Sequence, residues 1–351
     1  MHGGDIYRNH VRLDFSVNIN PLGIPEEIAE AMHQGIDRAG VYPDMHYDEL
    51  RHRLAAQFAW KENRILCGNG ASELIMAICR WRKPKSALLL APGFSGYERA
   101  LAATKCKIKY YELQPGSNFA VTEELLQIVS KKRPDLLFLS NPSNPTGVAV
   151  EKGFMRKLAL LCERTHTTLV IDECFVELTK EPTKWSLAGH MDLFKELLIL
   201  RAFTKSFAMP GLRLGYLLCG DEVDVEGIAL QLPEWNVSVP AQFAGVEALG
   251  MSRFLKKSAR YIAAEREFLS QELEKLGAIV FPSQANYILF QWKDEYLYER
   301  LLERGILIRD CSDYHGLSSC YYRVAVKRHE QNLELLSALR MDDLTYFVKK
   351  N

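Results

Sequence analysis

Between residues 30 and 220 the chain alternates short apolar runs with amphipathic stretches, and this pattern constrains the fold most. The runs are SALLLAP (86–92), KIKYYEL (107–113), LLFLSNP (136–142), TLVIDE (168–173), LLILRAF (197–203) and RLGYLLC (213–219). Apolar runs of this length, rich in Leu, Ile and Val, read as strands buried on both faces. Residues 122–132 and 151–164 carry helical spacing between them, and Thr122 with Glu123 and Glu124 predicts a capped helix start. Strand and helix in alternation predict an α/β fold, a mostly parallel sheet covered by helices, with ligands at the carboxyl ends of the strands.

After Pro233 the pattern changes. A long helix is predicted over about 252–276, then short strands at NYILFQW, GILIRD and YYRVAV, then a helix around 331–339. This reads as a smaller α+β unit. The expected division is a large domain over 31–232 and a small domain formed by 1–30 with 233–351, and 351 residues suffice for two cores.

Composition removes several function classes. Lys plus Arg and Asp plus Glu number 44 each, so no net field draws the chain to nucleic acid or a membrane surface. No apolar run approaches the ~18 residues of a membrane span. Eight scattered cysteines show neither C-x-x-C pairs nor zinc-ligand spacing, so no metal is expected. They read as reduced thiols of a cytoplasmic protein, and the amino-terminal residues lack an apolar signal core.

Chemistry gathers at the ends of the apolar runs. The stretch TKSFAMPGLRL (204–214) sets Lys205 between Thr204 and Ser206, with Arg213 after a Pro-Gly turn. A lysine that bonds to an aldehyde needs desolvation and cationic neighbours, and a phosphate beside it needs hydroxyls and a guanidinium. The segment offers both, which suggests a lysine holding pyridoxal phosphate (PLP). Asp172, polar at the end of an apolar strand, suits the pyridine nitrogen of that cofactor. SNPSNPTG (140–147) offers Asn141 and Asn144, and Asn144 is the expected donor to the ring oxygen. In GNGASELI (68–75), Gly70, Ala71 and Ser72 would present N–H groups and a hydroxyl to a phosphate at a helix start. Phe94 in APGFSGY is the candidate for stacking on the ring, with Tyr97 nearby. Arg309 and Arg323 lie in apolar strands and call for an anion. For Arg309 an internal acidic partner competes, since Asp310 is adjacent.

Together TKSFAMPGLRLGY, SNPSNPTG, the aspartate of VIDE and GNGASE resemble the fold-type I PLP enzymes of the class I/II aminotransferase superfamily, over nearly the whole chain. The resemblance implies a large domain with a mostly parallel sheet and a smaller α+β domain. It implies Lys205 as the Schiff-base lysine and Asp172 as the pyridine partner. Gly70, Ala71, Ser72, Thr204 and Arg213 would hold the cofactor phosphate, with Asn144 on the ring oxygen and Phe94 on the ring face. Tyr42, in a Y-P-D segment, would reach that phosphate from a neighbouring subunit, implying a homodimer with shared sites. Arg323 would bind a substrate carboxylate. Arg309, His2 and Gly3 would meet a substrate phosphate, and Asn20 would line the pocket. Within the superfamily, HGGDIY with LDFSVNINPLG, Phe175 in DECF, LQLPEWNVSVPA, and GILIRDCSDYHGL with YYRVAVK are similar to the threonine-phosphate decarboxylase branch. That branch acts in cobalamin biosynthesis and makes (R)-1-amino-2-propanol O-2-phosphate. The histidinol-phosphate aminotransferase branch needs nearly the same parts and stays the alternative, with a non-catalytic PLP-binding regulator behind it.

Overall fold

A computed structural model describes residues 3–350, with side chains through Met341. Its centre is a seven-stranded sheet in the spatial order Ile65–Gly68, Gly215–Cys219, Leu197–Ala202, Thr168–Asp172, Leu136–Ser140, Ser86–Ala91 and Lys107–Glu112. Gly215–Cys219 runs antiparallel to both neighbours, and the remaining pairs are parallel. Each apolar run of the sequence supplies a strand. Ile65–Gly68 is the addition. At four residues before a glycine turn it is too short to show a period.

Helices cover both faces, and two apolar clusters lie on the two sides of the sheet. Leu137, Leu139, Leu169, Ile171 and Ile199 belong to one cluster, and Leu136, Phe138, Val170, Leu198 and Leu200 to the other. This is the alternation of a doubly buried parallel sheet. Thr122 does not cap its helix. The helix begins at Glu124, and the Thr122 hydroxyl instead meets the Tyr111 hydroxyl at 2.8 Å. A tertiary partner outcompetes the cap because Tyr111 brings a phenol from the edge strand.

A second, four-stranded antiparallel sheet runs Arg309–Asp310, Tyr321–Ala325, Tyr287–Gln291, Ile279–Val280. It carries a separate core that includes Phe15, Leu269, Leu273, Ile288, Phe290, Val324 and Leu335. The early residues join this side: Leu13–Asp14 pairs in parallel with Ile306–Leu307, and Phe15 accepts a hydrogen bond from Ala325 N. The two cores do not divide at Pro233. Helix Val239–Leu249 packs Ala241, Ala244 and Ala248 into the first core with Leu50, Leu54 and Leu214. Helix Ser252–Lys275 then spans both, with Phe254 and Leu255 against the first core and Leu269 and Leu273 in the second.

Candidate active site

The carboxyl ends of the central strands and the small sheet face a common cavity of about 230 Å³. Register builds it. Ser140 pairs with Asp172, and Asp172 with Leu200, so the chemistry of adjacent strands ends at one level. Lys205 follows on a one-turn helix, Phe203–Ser206, just beyond the neighbouring strand. Thr204, Lys205 and Arg213 all line the cavity.

Lys205 is half-buried, and its amine has no hydrogen-bond partner among the described residues. Burial, then the Arg323 guanidinium, pushes its pKa down to about 8. A substantial fraction of the amine is therefore neutral near physiological pH. Asp172 is 8% exposed. Its Oδ2 accepts from the Tyr97 hydroxyl at 2.6 Å and its Oδ1 from Cys174 N at 3.0 Å. Glu173, the adjacent carboxylate, turns away from the cavity. It accepts from Arg201 Nη2 at 2.7 Å and Nε at 3.0 Å, and from the Ser186 hydroxyl at 2.8 Å. Neighbouring acids thus serve different ends, one facing the cavity and one bracing strands from below.

The GNGASE turn meets the Lys205 loop. Gly70 has φ +82°, and a Cβ added there would stand 2.6 Å from Arg213 Nη2. Gly215 is as tightly constrained, since its Cβ would lie 2.7 Å from Ala71 N. Two glycines therefore let a guanidinium and the first turn of helix Ala71–Arg82 approach one another. That turn's N–H groups and the Arg213 charge converge where an anion would sit. Asn144 accepts from Arg323 Nη1 through Oδ1, which leaves its amide N–H groups for another acceptor. Asn141, fully buried, is structural: it accepts from Val150 N at 2.8 Å and donates to Trp185 O at 2.6 Å.

Arg309 and Arg323 are direct cross-strand partners in the small sheet, 7% and 5% exposed. Both line the cavity. Like charges directly opposite one another destabilise a sheet unless anions offset them. Arg309 donates to Asp313 Oδ1 at 2.7 Å, and it touches Asp310 only through the main-chain carbonyl. The competing acid is thus Asp313 rather than Asp310, because alternation along a strand sends Asp310 to the other face. No carboxylate among the described residues pairs with Arg323. It donates to Asn144 Oδ1 and Ser16 O, and its buried Nε has no partner.

Of the other expected site residues, Gly3, Ala71, Ser72 and Phe94 line the cavity, and Phe175 forms apolar wall, edge-on to Tyr287 at 5.1 Å. Asn20 does not line it. Its amide donates to Ser206 O at 2.7 Å and the Ser258 hydroxyl at 2.8 Å, tying the Lys205 loop to the long helix. Asn18, two residues earlier, lines the cavity instead, with a buried and unpartnered Oδ1. Tyr42 is 78% exposed, away from the cavity, against Trp235 at 4.7 Å. His2 lies outside the described residues. Asn18, Cys174 and Tyr314 line the cavity without having been singled out in the sequence. Asn18 shares the N-I-N segment with Asn20, and spacing alone gave no reason to choose between them.

A family model for class I and II aminotransferases matches residues 11–339. The chain is 37% identical to a threonine-phosphate decarboxylase from Salmonella typhimurium, over 93% of this chain and 90% of that protein. It is 29% identical to a histidinol-phosphate aminotransferase from Thermoanaerobacter sp., over 94% of this chain and 92% of that protein. The crystal structure of a histidinol-phosphate aminotransferase from Clostridium acetobutylicum superposes with a TM-score of 0.88 at 32% identity, covering 95% of this chain and 99% of that one.

Proposed function

The chain belongs to the class I and II aminotransferase family, and from that premise we propose that it is a PLP-dependent enzyme that decarboxylates L-threonine O-3-phosphate to (R)-1-amino-2-propanol O-2-phosphate, a step of cobalamin biosynthesis. One observation carries the substrate class: two buried arginines face each other across a strand pair, in the same cavity as a lysine of lowered pKa. An amino acid with a carboxylate pairs Arg323, and a second anion on it shares Arg309 with Asp313. The resemblance to the decarboxylase of Salmonella typhimurium at 37% supports the reaction.

The residues present fit the cofactor. Gly70 keeps clear the space where Arg213 and the helix start converge on a phosphate, and the partnerless Lys205 amine is the group to bond to its aldehyde. Thr204 and Ser72 add hydroxyls, Asn144 a donor for the ring oxygen, Asp172 an acid for the pyridine nitrogen and Phe94 an aromatic face. When bound, PLP supplies an electron sink for the bond broken at the substrate's α-carbon. Arg323, already aimed by Asn144 and Ser16, orients the substrate carboxylate. Arg309 and the Gly3 backbone take the phosphate, with Asn18 beside them. Phe175 and Ile75 give the cavity apolar wall, which restricts water. Lys205 Nζ then returns a proton to the α-carbon once CO₂ has left, so substrate minus CO₂ plus one proton gives product.

The exposed Tyr42 supports a homodimer in which it reaches the cofactor phosphate of a second copy. The eight cysteines are all unpaired, which supports a cytoplasmic location. Among the described residues no helix is long and apolar enough to cross a membrane. The likeness to the Clostridium acetobutylicum aminotransferase keeps one second reading, amino transfer from histidinol phosphate. Two incubations separate the readings. L-threonine O-3-phosphate alone releases CO₂ under the proposal, whereas glutamate formed from histidinol phosphate and 2-oxoglutarate, with no CO₂, would establish the alternative.

A further inference from the structure

Tyr97 was expected near the cofactor ring, yet it does not line the cavity. It is 4% exposed and stands behind Asp172, from the first turn of helix Ser95–Ala103. Its ring stacks on Phe138 at 4.6 Å with an 8° interplanar angle. Phe138 itself is fixed in the strand whose last residue, Ser140, pairs with Asp172. The phenol therefore has one direction in which to point, and along it lies Asp172 Oδ2 at 2.6 Å. The other carboxylate oxygen accepts from Cys174 N. With one donor on each oxygen, turning the carboxylate about its Cβ–Cγ bond would break both hydrogen bonds. The same phenol ring meets Phe94 at 5.4 Å and 87°, an edge-to-face contact that sets the tilt of the aromatic facing the cavity.

We infer that Tyr97 is a positioning residue for the cofactor: one side chain orients both the acid that meets the pyridine nitrogen and the aromatic that meets the ring face. This rests on the PLP reading of the cavity. A donor at 2.6 Å to an ionised acceptor is among the stronger hydrogen bonds a protein makes. Burial, and then the charge of Asp172, push the phenol well above its usual range, so it remains a protonated donor at any working pH. Nothing in the substrate is touched by Tyr97. Its effect should appear on the cofactor, before any substrate is added.

The experiment compares the unaltered chain with Tyr97→Phe, which deletes the hydroxyl and keeps both ring contacts, and with Tyr97→Leu, which deletes all three. Each is titrated with PLP labelled with ¹⁵N at the ring nitrogen. In Tyr97→Phe, PLP binding weakens about tenfold, the loss of one charge-assisted hydrogen bond, and the ¹⁵N resonance moves toward the unprotonated value. Tyr97→Leu weakens binding further. With L-threonine O-3-phosphate, kcat falls in Tyr97→Phe while KM stays. An unchanged PLP dissociation constant together with an unchanged ¹⁵N resonance in Tyr97→Phe overturns the inference alone. Failure of the unaltered chain to take up PLP overturns the functional reading beneath it.

Discussion

Glu173→Gln tests whether the two adjacent carboxylates have separate roles. Glu173 has no exposed side-chain surface and Arg201 is 8% exposed at its side chain, so the pair is out of water. Burial lowers the affinity of Arg201 for its proton, but the charge of Glu173 outweighs it and holds the guanidinium charged. Glutamine keeps the shape and the contact with Ser186 but removes the charge. Breaking a buried pair from one side costs about 3–5 kcal/mol, because the remaining charge loses its counter-ion. Glu177 Oε1 stays 3.4 Å from Arg201 Nη1, and Phe58 lies 4.9 Å beneath the guanidinium. These keep the loss near the low end, about 3 kcal/mol. Urea unfolding of the cofactor-free protein should show a lower midpoint at constant slope. Glu173→Leu with Arg201→Met should recover most of the loss, since an apolar pair replaces a charged one at little cost. PLP affinity should hold in every folded variant. A midpoint change worth less than about 1 kcal/mol, or a fall in PLP affinity as large as that of Asp172→Asn, would refute the division of labour.

Other outcomes follow from the same geometry. The rate at which cofactor-free protein takes up PLP should rise with pH and level off above about 8, where an ordinary lysine would go on gaining up to 10.5. Because folded Lys205 holds its proton less tightly than the unfolded chain does, this group's share of stability rises with pH between those values, and Lys205→Met should remove that slope in unfolding experiments. Gly70→Ala should weaken PLP binding by at least tenfold (about 1.4 kcal/mol), measured by equilibrium titration, since the new methyl meets Arg213 and the backbone sits at φ +82°. Arg323→Met should raise KM for L-threonine O-3-phosphate by about 2 kcal/mol equivalent, some thirtyfold, while PLP affinity holds.

Much of this was legible in the chain because short apolar runs between helical stretches leave a strand few alternatives. Asp172, Asn144 and Lys205 were placed by the rule that ligands gather at strand carboxyl ends, and they line one cavity. What remained hidden was tertiary. Nothing in sequence says that Tyr97 meets a carboxylate 75 residues away, or that Thr122 gives up its cap for Tyr111. The partner of Arg309 was within reach, because period-two alternation excludes Asp310 and leaves Asp313 after the turn. Asn18 and Asn20 stand two apart in a segment without regular structure, and only the hydrogen bonds of Asn20 to the Lys205 loop and the long helix distinguish them.

The proposed chemistry requires a covalent bond between one amine and the cofactor aldehyde. Protein loaded with PLP is reduced with borohydride, digested, and mapped by mass spectrometry. A single added cofactor mass is expected on the peptide containing Lys205, and none in Lys205→Met. A cofactor mass on another lysine, or none on any, would contradict it.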